Sequence, residues 1–292
     1  MSRTDPITRV AVVSTGVVSI RPEHVGPTRK SQTFWLLTSR RWTQPLPINV
    51  YVIEHERGLV LFDTGQDRAS VTDPHYFPGG ILGRIYSRLA RFSIGAGDTL
   101  TAQLAAAGFD IADVTTVVLS HLHQDHIGGL RELGHAEILV SEDEHRTMDA
   151  RHPELEGILL DHLRMPGIRW SPLSLPELAD PGIRPFTRGH DIFGDGSLVI
   201  LSTPGHTPGS ISLLVRRAGN PPLLLVGDLT YDISLMEAGG VPGSGDRKRM
   251  RESSAVVAEL AKNLPGLVVL AAHEPTSATR LAEATRSARS GI

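Results

Sequence analysis

Short apolar runs recur along the chain, most of them closed by Gly, Pro, Asp or Ser. They are Val10–Val13, Ile48–Ile53, Leu59–Phe62, Val117–Leu119, Ile138–Val140, Leu198–Leu201, Ile211–Val215, Leu223–Val226 and Leu267–Leu270. Rich in Val, Ile and Leu and too short for helices, they predict strands. Between them, Leu100–Ala107, Arg247–Asn263 and Ser277–Ala288 repeat apolar residues at helical spacing. Strand and helix alternate, with two hairpin-like stretches, which predicts layered α/β with helices outside the sheets. The stretch Gln66–Asp98 breaks the pattern, setting Pro74, Pro78, Gly79 and Gly80 beside Tyr76, Phe77, Ile81, Tyr86 and Phe92. A connection of that length reads as a lid, a binding loop or a contact surface. No repeat and no linker divides the chain, so residues 1–292 read as one domain.

Composition removes several function classes. The net charge of −3 lacks the basic excess of a nucleic-acid binder. No apolar run approaches the roughly 18 residues that span a bilayer, and MSRTDPITRV lacks a signal-peptide layout. A cytoplasmic protein without membrane or nucleic-acid partners is the expectation. Cysteine is absent, so a metal site here uses nitrogen and oxygen donors, for which 13 histidines are available.

The candidate chemistry is concentrated in Ser120–Leu130, SHLHQDHIGGL, which follows the strand-like TTVVL. His121 and His123 alternate and can grip one ion from one face of an extended chain. His126 is out of phase and points elsewhere, with Gly128 and Gly129 permitting a turn into a helix. Asp125 adds a fourth donor, and two neighbouring ions accommodate the set better than one. His206, Asp228 and His273 obey one further rule: each lies just past the C-terminal end of an apolar strand, where α/β folds gather ligand-binding groups. A lone histidine after a strand is more often an ordinary packed or surface residue. The eight histidines outside this set, such as His55, His135, His145, His152 and His190, keep that reading. Imidazole and carboxylate donors suit two divalent transition-metal ions, zinc, iron, cobalt or manganese, and the residue types do not choose among them. Two such ions about 3.5–4 Å apart can share a hydroxide and clamp a hydrolysis from both sides.

HLHQDH, TPGHTPGS around His206, GD at Asp228, the late His273 and LFDTG at Leu61–Gly65 together resemble the metallo-β-lactamase superfamily. The resemblance runs from about Val10 to Ala284. It implies a four-layer αββα sandwich. It also implies one metal on His121, His123 and His206, a second on Asp125, His126 and His273, and Asp228 bridging both. Asp63, at a strand end, reads either as a partner of a ligand histidine or as an Asp satisfying its own turn. Aspartate at the bridging position with Tyr231 three residues on resembles the N-acyl-homoserine lactonases, which open the lactone ring of bacterial quorum-sensing signals. That branch implies a small lactone substrate, attack by a metal-bridging hydroxide, and Tyr231 at the substrate carbonyl. Asp125 is a ligand there and a candidate for handling a proton. Two positions depart from the branch: Gln124, where an aromatic often stands beside the acyl chain, and Glu274, where an aspartate is common. The alternatives are a glyoxalase II-type thioesterase, a phosphotriesterase-like enzyme, or a lactonase for a different ring. A flavin-linked di-iron oxidoreductase, normally with glutamate for one motif histidine, and a nuclease fit less well. Phe34–Leu37 and Tyr76–Phe92 read as an acyl pocket, a homodimer face or local core.

Overall fold

The computed structural model describes residues 5–289. Its first sheet contains β1 (Ile7–Ile20), β2 (Leu46–His55), β3 (Gly58–Phe62), β4 (Ala90–Ser93), β5 (Val114–Val118), β6 (Glu137–Ser141) and β7 (Arg169–Leu173), in the order β4-β1-β2-β3-β5-β6-β7. The second contains β8 (Gly189–Asp191), β9 (Leu198–Ser202), β10 (Ile211–Val215), β11 (Leu223–Leu225) and β12 (Val268–Leu270), in the order β12-β11-β10-β9-β8. Antiparallel hairpins build β1-β2-β3 and β8 to β11, while β3, β5, β6 and β7 run parallel, as do β11 and β12.

Side-chain alternation explains the layering. In β2, Tyr51 and Ile53 join Leu198, Ile200, Leu213 and Leu225 in a core between the two sheets. Their neighbours Val50 and Val52 turn the other way, onto Leu100 and Leu104 of the helix Leu100–Ala106. Val199, Leu201, Leu214 and Leu224 likewise leave the outer face of the second sheet to Val257 and Leu260 of the helix Arg247–Asn263. A strand apolar on both faces must be covered on both, so the order helix, sheet, sheet, helix follows from the sequence. This is the αββα sandwich.

The structure extends the strand pattern in three places. β4, β7 and β8 belong to no apolar run, because they lie at sheet edges and carry polar or turn residues such as Arg91, Pro172, His190 and Asp191. β1 is longer than its apolar centre, because a register shift between Ser14 and Val17 interrupts the alternation. Residues 66–98 are not a bare connection either: they hold the helix Gly80–Leu89 and β4, with Tyr76 and Tyr86 buried. No helix among the described residues is long and apolar enough to cross a membrane.

Candidate metal centre

The strand ends put the chemistry at one rim. His121 follows β5, His206 follows β9, Asp228 follows β11 and His273 follows β12, so both sheets contribute. Asp63 directly follows β3 and is the only non-glycine residue with positive φ among the described residues, at 62°. The loop it opens braces the histidine loop: Asp63 N–H donates to Val118 O (2.9 Å), Thr64 N–H to His126 O (2.8 Å), and Gly128 N–H to Gly65 O (2.7 Å). The turn of the histidine loop comes earlier than the glycines, in the short helix Gln124–Ile127, and Gly128 has an ordinary helical φ of −59°. What Gly128 supplies is proximity: a Cβ there would meet Asp67 N at 2.1 Å.

All seven candidate ligands converge, forming the groups His121–His123–His206, His121–His126–Asp228 and Asp125–His126–His273. His123 Nδ1 lies 3.0 Å from His121 Nε2 and 3.0 Å from His206 Nε2. On the other side, His273 Nε2 lies 3.4 Å from Asp125 Oδ2, and His126 Nε2 lies 3.9 Å from Asp125 Oδ1. Asp228 stands between the two groups. Its Oδ1 faces His126 Nε2 (3.4 Å) and His273 Nε2 (3.5 Å), and its Oδ2 faces His206 Nε2 (3.5 Å).

The outer hydrogen bonds orient these rings. His123 Nε2 bonds Glu156 O (2.9 Å) and His273 Nδ1 bonds Pro47 O (2.8 Å), so those nitrogens carry the proton. His126 Nδ1 donates to Asp63 Oδ2 at 2.8 Å. Ser120 gives its own hydroxyl proton to that carboxylate (2.9 Å) and therefore accepts from His121 Nδ1 (2.9 Å). Four rings are thus left with a bare nitrogen aimed into the cluster, the form that binds a metal. His126 Nε2 and Asp228 Oδ1 are buried and make no hydrogen bond. Buried polar atoms without partners are costly, and a cation between them removes that cost. The residues therefore fit transition-metal ions of the nitrogen- and oxygen-loving kind.

Charge agrees with this geometry at His121, His206 and Asp228. At His126 burial is outweighed by the Asp63 and Asp228 carboxylates, which raise the ring well above the ordinary histidine value, a proton on Nε2 that a bound cation would replace. Burial drives His121 well below the ordinary histidine value and His206 down to about 3, so both are neutral. Burial would raise Asp228, but His273, His126 and His206 outweigh it and hold the carboxyl well below its usual range. Burial and the Asp228 charge push Tyr231 well above the usual phenol range, and its hydroxyl donates to Asp228 Oδ2 at 2.6 Å.

Asp63 is therefore a partner of His126 and Ser120. Glu274 does not play that part, since its carboxylate accepts from Ile233 N (3.1 Å) and Thr276 Oγ1 (2.7 Å). Sequence reasoning missed Glu144. This buried carboxylate accepts from Leu122 N (2.9 Å), Thr207 Oγ1 (2.6 Å) and Gly209 N (3.1 Å), tying the His121–His126 loop to the His206 loop. A strand-end placement in ILVSEDE, the rule that found His206, was its only signal.

The cluster opens into a cavity of about 240 Å³, walled by Leu36, Leu82, Ile85, Leu89 and Phe92 and reached by Tyr231 and Gln124. No Lys or Arg among the described residues lines it.

Comparison with known proteins gives the same picture. Residues 43–273 match the metallo-beta-lactamase superfamily. The N-acyl homoserine lactonase AttM of Rhizobium radiobacter is 33% identical over 201 residues, 68% of this chain and 70% of that protein. The fold matches a B. thuringiensis AiiA mutant solved with N-decanoyl-L-homoserine at its active site, with a TM-score of 0.72 at 21% identity, over 94% of this chain and 95% of that one. It also matches AidC, a dizinc quorum-quenching lactonase solved with its N-hexanoyl-L-homoserine product, with a TM-score of 0.62 at 18% identity, over 94% of this chain and 92% of that one. The chain belongs to the metallo-beta-lactamase superfamily and, within it, to the branch of the N-acyl homoserine lactonases.

Proposed function

We propose that this protein is a dinuclear metal-dependent lactonase that opens the ring of N-acyl-homoserine lactones, quenching the signal they carry. The observation that carries this reading is the seven-ligand cluster at the mouth of a largely apolar cavity that no Lys or Arg among the described residues lines. A neutral lactone with an aliphatic tail suits such a cavity. An anionic glutathione thioester would find no Lys or Arg among the described lining residues to pair with its carboxylates.

His121, His123 and His206 would hold one ion, Asp125, His126 and His273 the other, and Asp228, with one oxygen toward each group, would join them. When bound, two such ions, zinc in this proposal, supply Lewis acidity and an activated water near neutral pH. The protein's own residues do the rest. Asp63, Ser120, Pro47 and Glu156 fix which ring nitrogen of His126, His121, His273 and His123 is bare. Tyr231, kept protonated by burial beside Asp228, would turn its one phenolic O–H from Asp228 Oδ2 to the ring carbonyl oxygen as charge develops there. Asp125 acts as a ligand, since a carboxylate engaged with a cation is a weak base. The apolar wall of Leu36, Leu82 and Ile85 receives the acyl chain and excludes water.

The test is a comparison of initial rates for the metal-loaded protein on lactones, thioesters, phosphotriesters and β-lactams. A lactonase gives N-acyl-homoserine, one water heavier than its substrate, and acidifying the products restores the ring. Faster turnover of a thioester or phosphotriester than of any homoserine lactone would overturn the reading.

A further inference from the structure

Between the candidate ligands His123 and Asp125, the cavity is lined by Gln124, an amide whose direction is set by its neighbours. The backbone N–H of Asp67 donates to Gln66 Oε1 at 2.9 Å, and the Tyr76 hydroxyl donates to the same oxygen at 2.9 Å. A backbone N–H can only donate, so the Gln66 oxygen is fixed there. Its Nε2 is thereby directed to Gln124, 3.1 Å from Oε1. An amide nitrogen also only donates, so Gln124 must turn its oxygen to Gln66. The Nε2 of Gln124 is left with no acceptor among the described residues, on a side chain that is 9% exposed.

Two more polar atoms on the same cavity lack partners. His24 Nε2 and Ser244 Oγ are buried and make no hydrogen bond. Their segments adjoin, since Gly243 N–H donates to His24 O at 3.3 Å. A purely aliphatic acyl chain in this cavity would strip water from these groups and leave them unpaired. An oxygen on the chain that met one of them would pair it.

Resting on the lactonase reading above, we infer that Gln124 is a specificity-determining residue whose amide N–H donates to a keto or hydroxyl oxygen carried by the acyl chain. Gln124 lines the cavity together with His123 and Asp125, which points to the part of the chain next to the ring and hence to a 3-oxo or 3-hydroxy substituent. The relay Tyr76–Gln66–Gln124 couples this preference to the 66–98 segment, which also supplies Leu82, Ile85 and Leu89 to the wall.

The experiment compares kcat/KM of the zinc-loaded protein on N-octanoyl-, N-(3-oxooctanoyl)- and N-(3-hydroxyoctanoyl)-homoserine lactone. The wild type is expected to prefer the oxygenated chains by about tenfold or more. Gln124→Met should bring that ratio close to one, chiefly through a higher KM for the oxygenated chains. Gln124→Glu, which still accepts from Gln66 but has no N–H, should do the same and serves if Gln124→Met folds poorly. An unchanged ratio in both variants would overturn the inference. So would an equal loss on all three substrates, which would place Gln124 on the amide that they share. If the wild type opens none of the three, the lactonase reading itself falls.

Discussion

Asp63→Asn tests the orientation of the metal centre without removing a ligand. Asn tolerates the positive φ of this position better than most residues, so the backbone can stay in place. Ser120 N–H donates to Asp63 Oδ1 at 2.7 Å and must keep an acceptor there, so the new amide nitrogen replaces Oδ2. That atom now receives His126 Nδ1–H at 2.8 Å and Ser120 O–H at 2.9 Å. Two donors would then face each other, and His126 relieves the conflict by moving its proton to Nε2, the nitrogen that the metal needs. Losing such an outer partner lowers metal affinity by about tenfold to a hundredfold, equivalent to about 1.4 to 2.8 kcal/mol. Competition with a chromophoric chelator, ion by ion, is the assay. The ion on the Asp125–His126–His273 side should weaken by that factor while the His121–His123–His206 ion changes less. Wild-type affinity for both ions in a folded Asp63→Asn protein would refute the tautomer argument.

Further predictions follow from the same geometry. Asp228→Ala should cut turnover by about a hundredfold or more, because misplacing the reacting groups is expensive, and metal content per chain should fall with it; normal turnover with full metal content would exclude Asp228 as the shared ligand. Tyr231→Phe should lower kcat on homoserine lactones by about tenfold to a thousandfold, the range of a lost oxyanion donor, with metal content unchanged; equal kcat would remove the phenol from the reaction. Glu144→Gln puts an NH₂ against Leu122 N–H or Gly209 N–H, costing about 1–3 kcal/mol; a thermal melt should show Tm several degrees lower, and an unchanged Tm would count against its bracing role. A chelator should abolish activity and added zinc should restore it, as elemental analysis and rates on one sample would show.

The chain's pattern and its contacts were legible to different degrees. Strands with both faces buried, such as Leu198–Leu201 and Ile211–Val215, announce themselves because burial demands an apolar run broken only by a paired polar group such as Ser212, whose hydroxyl meets Thr203 Oγ1. β7 and β8 do not, because an edge strand tolerates Arg169, Pro172 and Asp191 without penalty. The candidate ligands were readable because their placement rule is local: each follows a strand. Glu144 and Gln66 act through partners 63 and 58 positions away, and no spacing in the sequence marks such contacts. The direction of the Gln124 amide depends on that distant chain too, so a polar residue in an apolar pocket read as a departure rather than as a donor.

The clustered ligands come from both layers of the sandwich, four after β5 and three after β9, β11 and β12. Ions bound there rivet the two sheets along the edge where the inter-sheet core ends. Ligation of the folded form adds stability that grows with free metal, about 2.7 kcal/mol per independent site at a hundred times its Kd. Metal supply then governs how long each molecule survives as well as whether it works. Under metal shortage the proposed centre would fail first through opening of the riveted edge, which exposes the loosened chain to degradation.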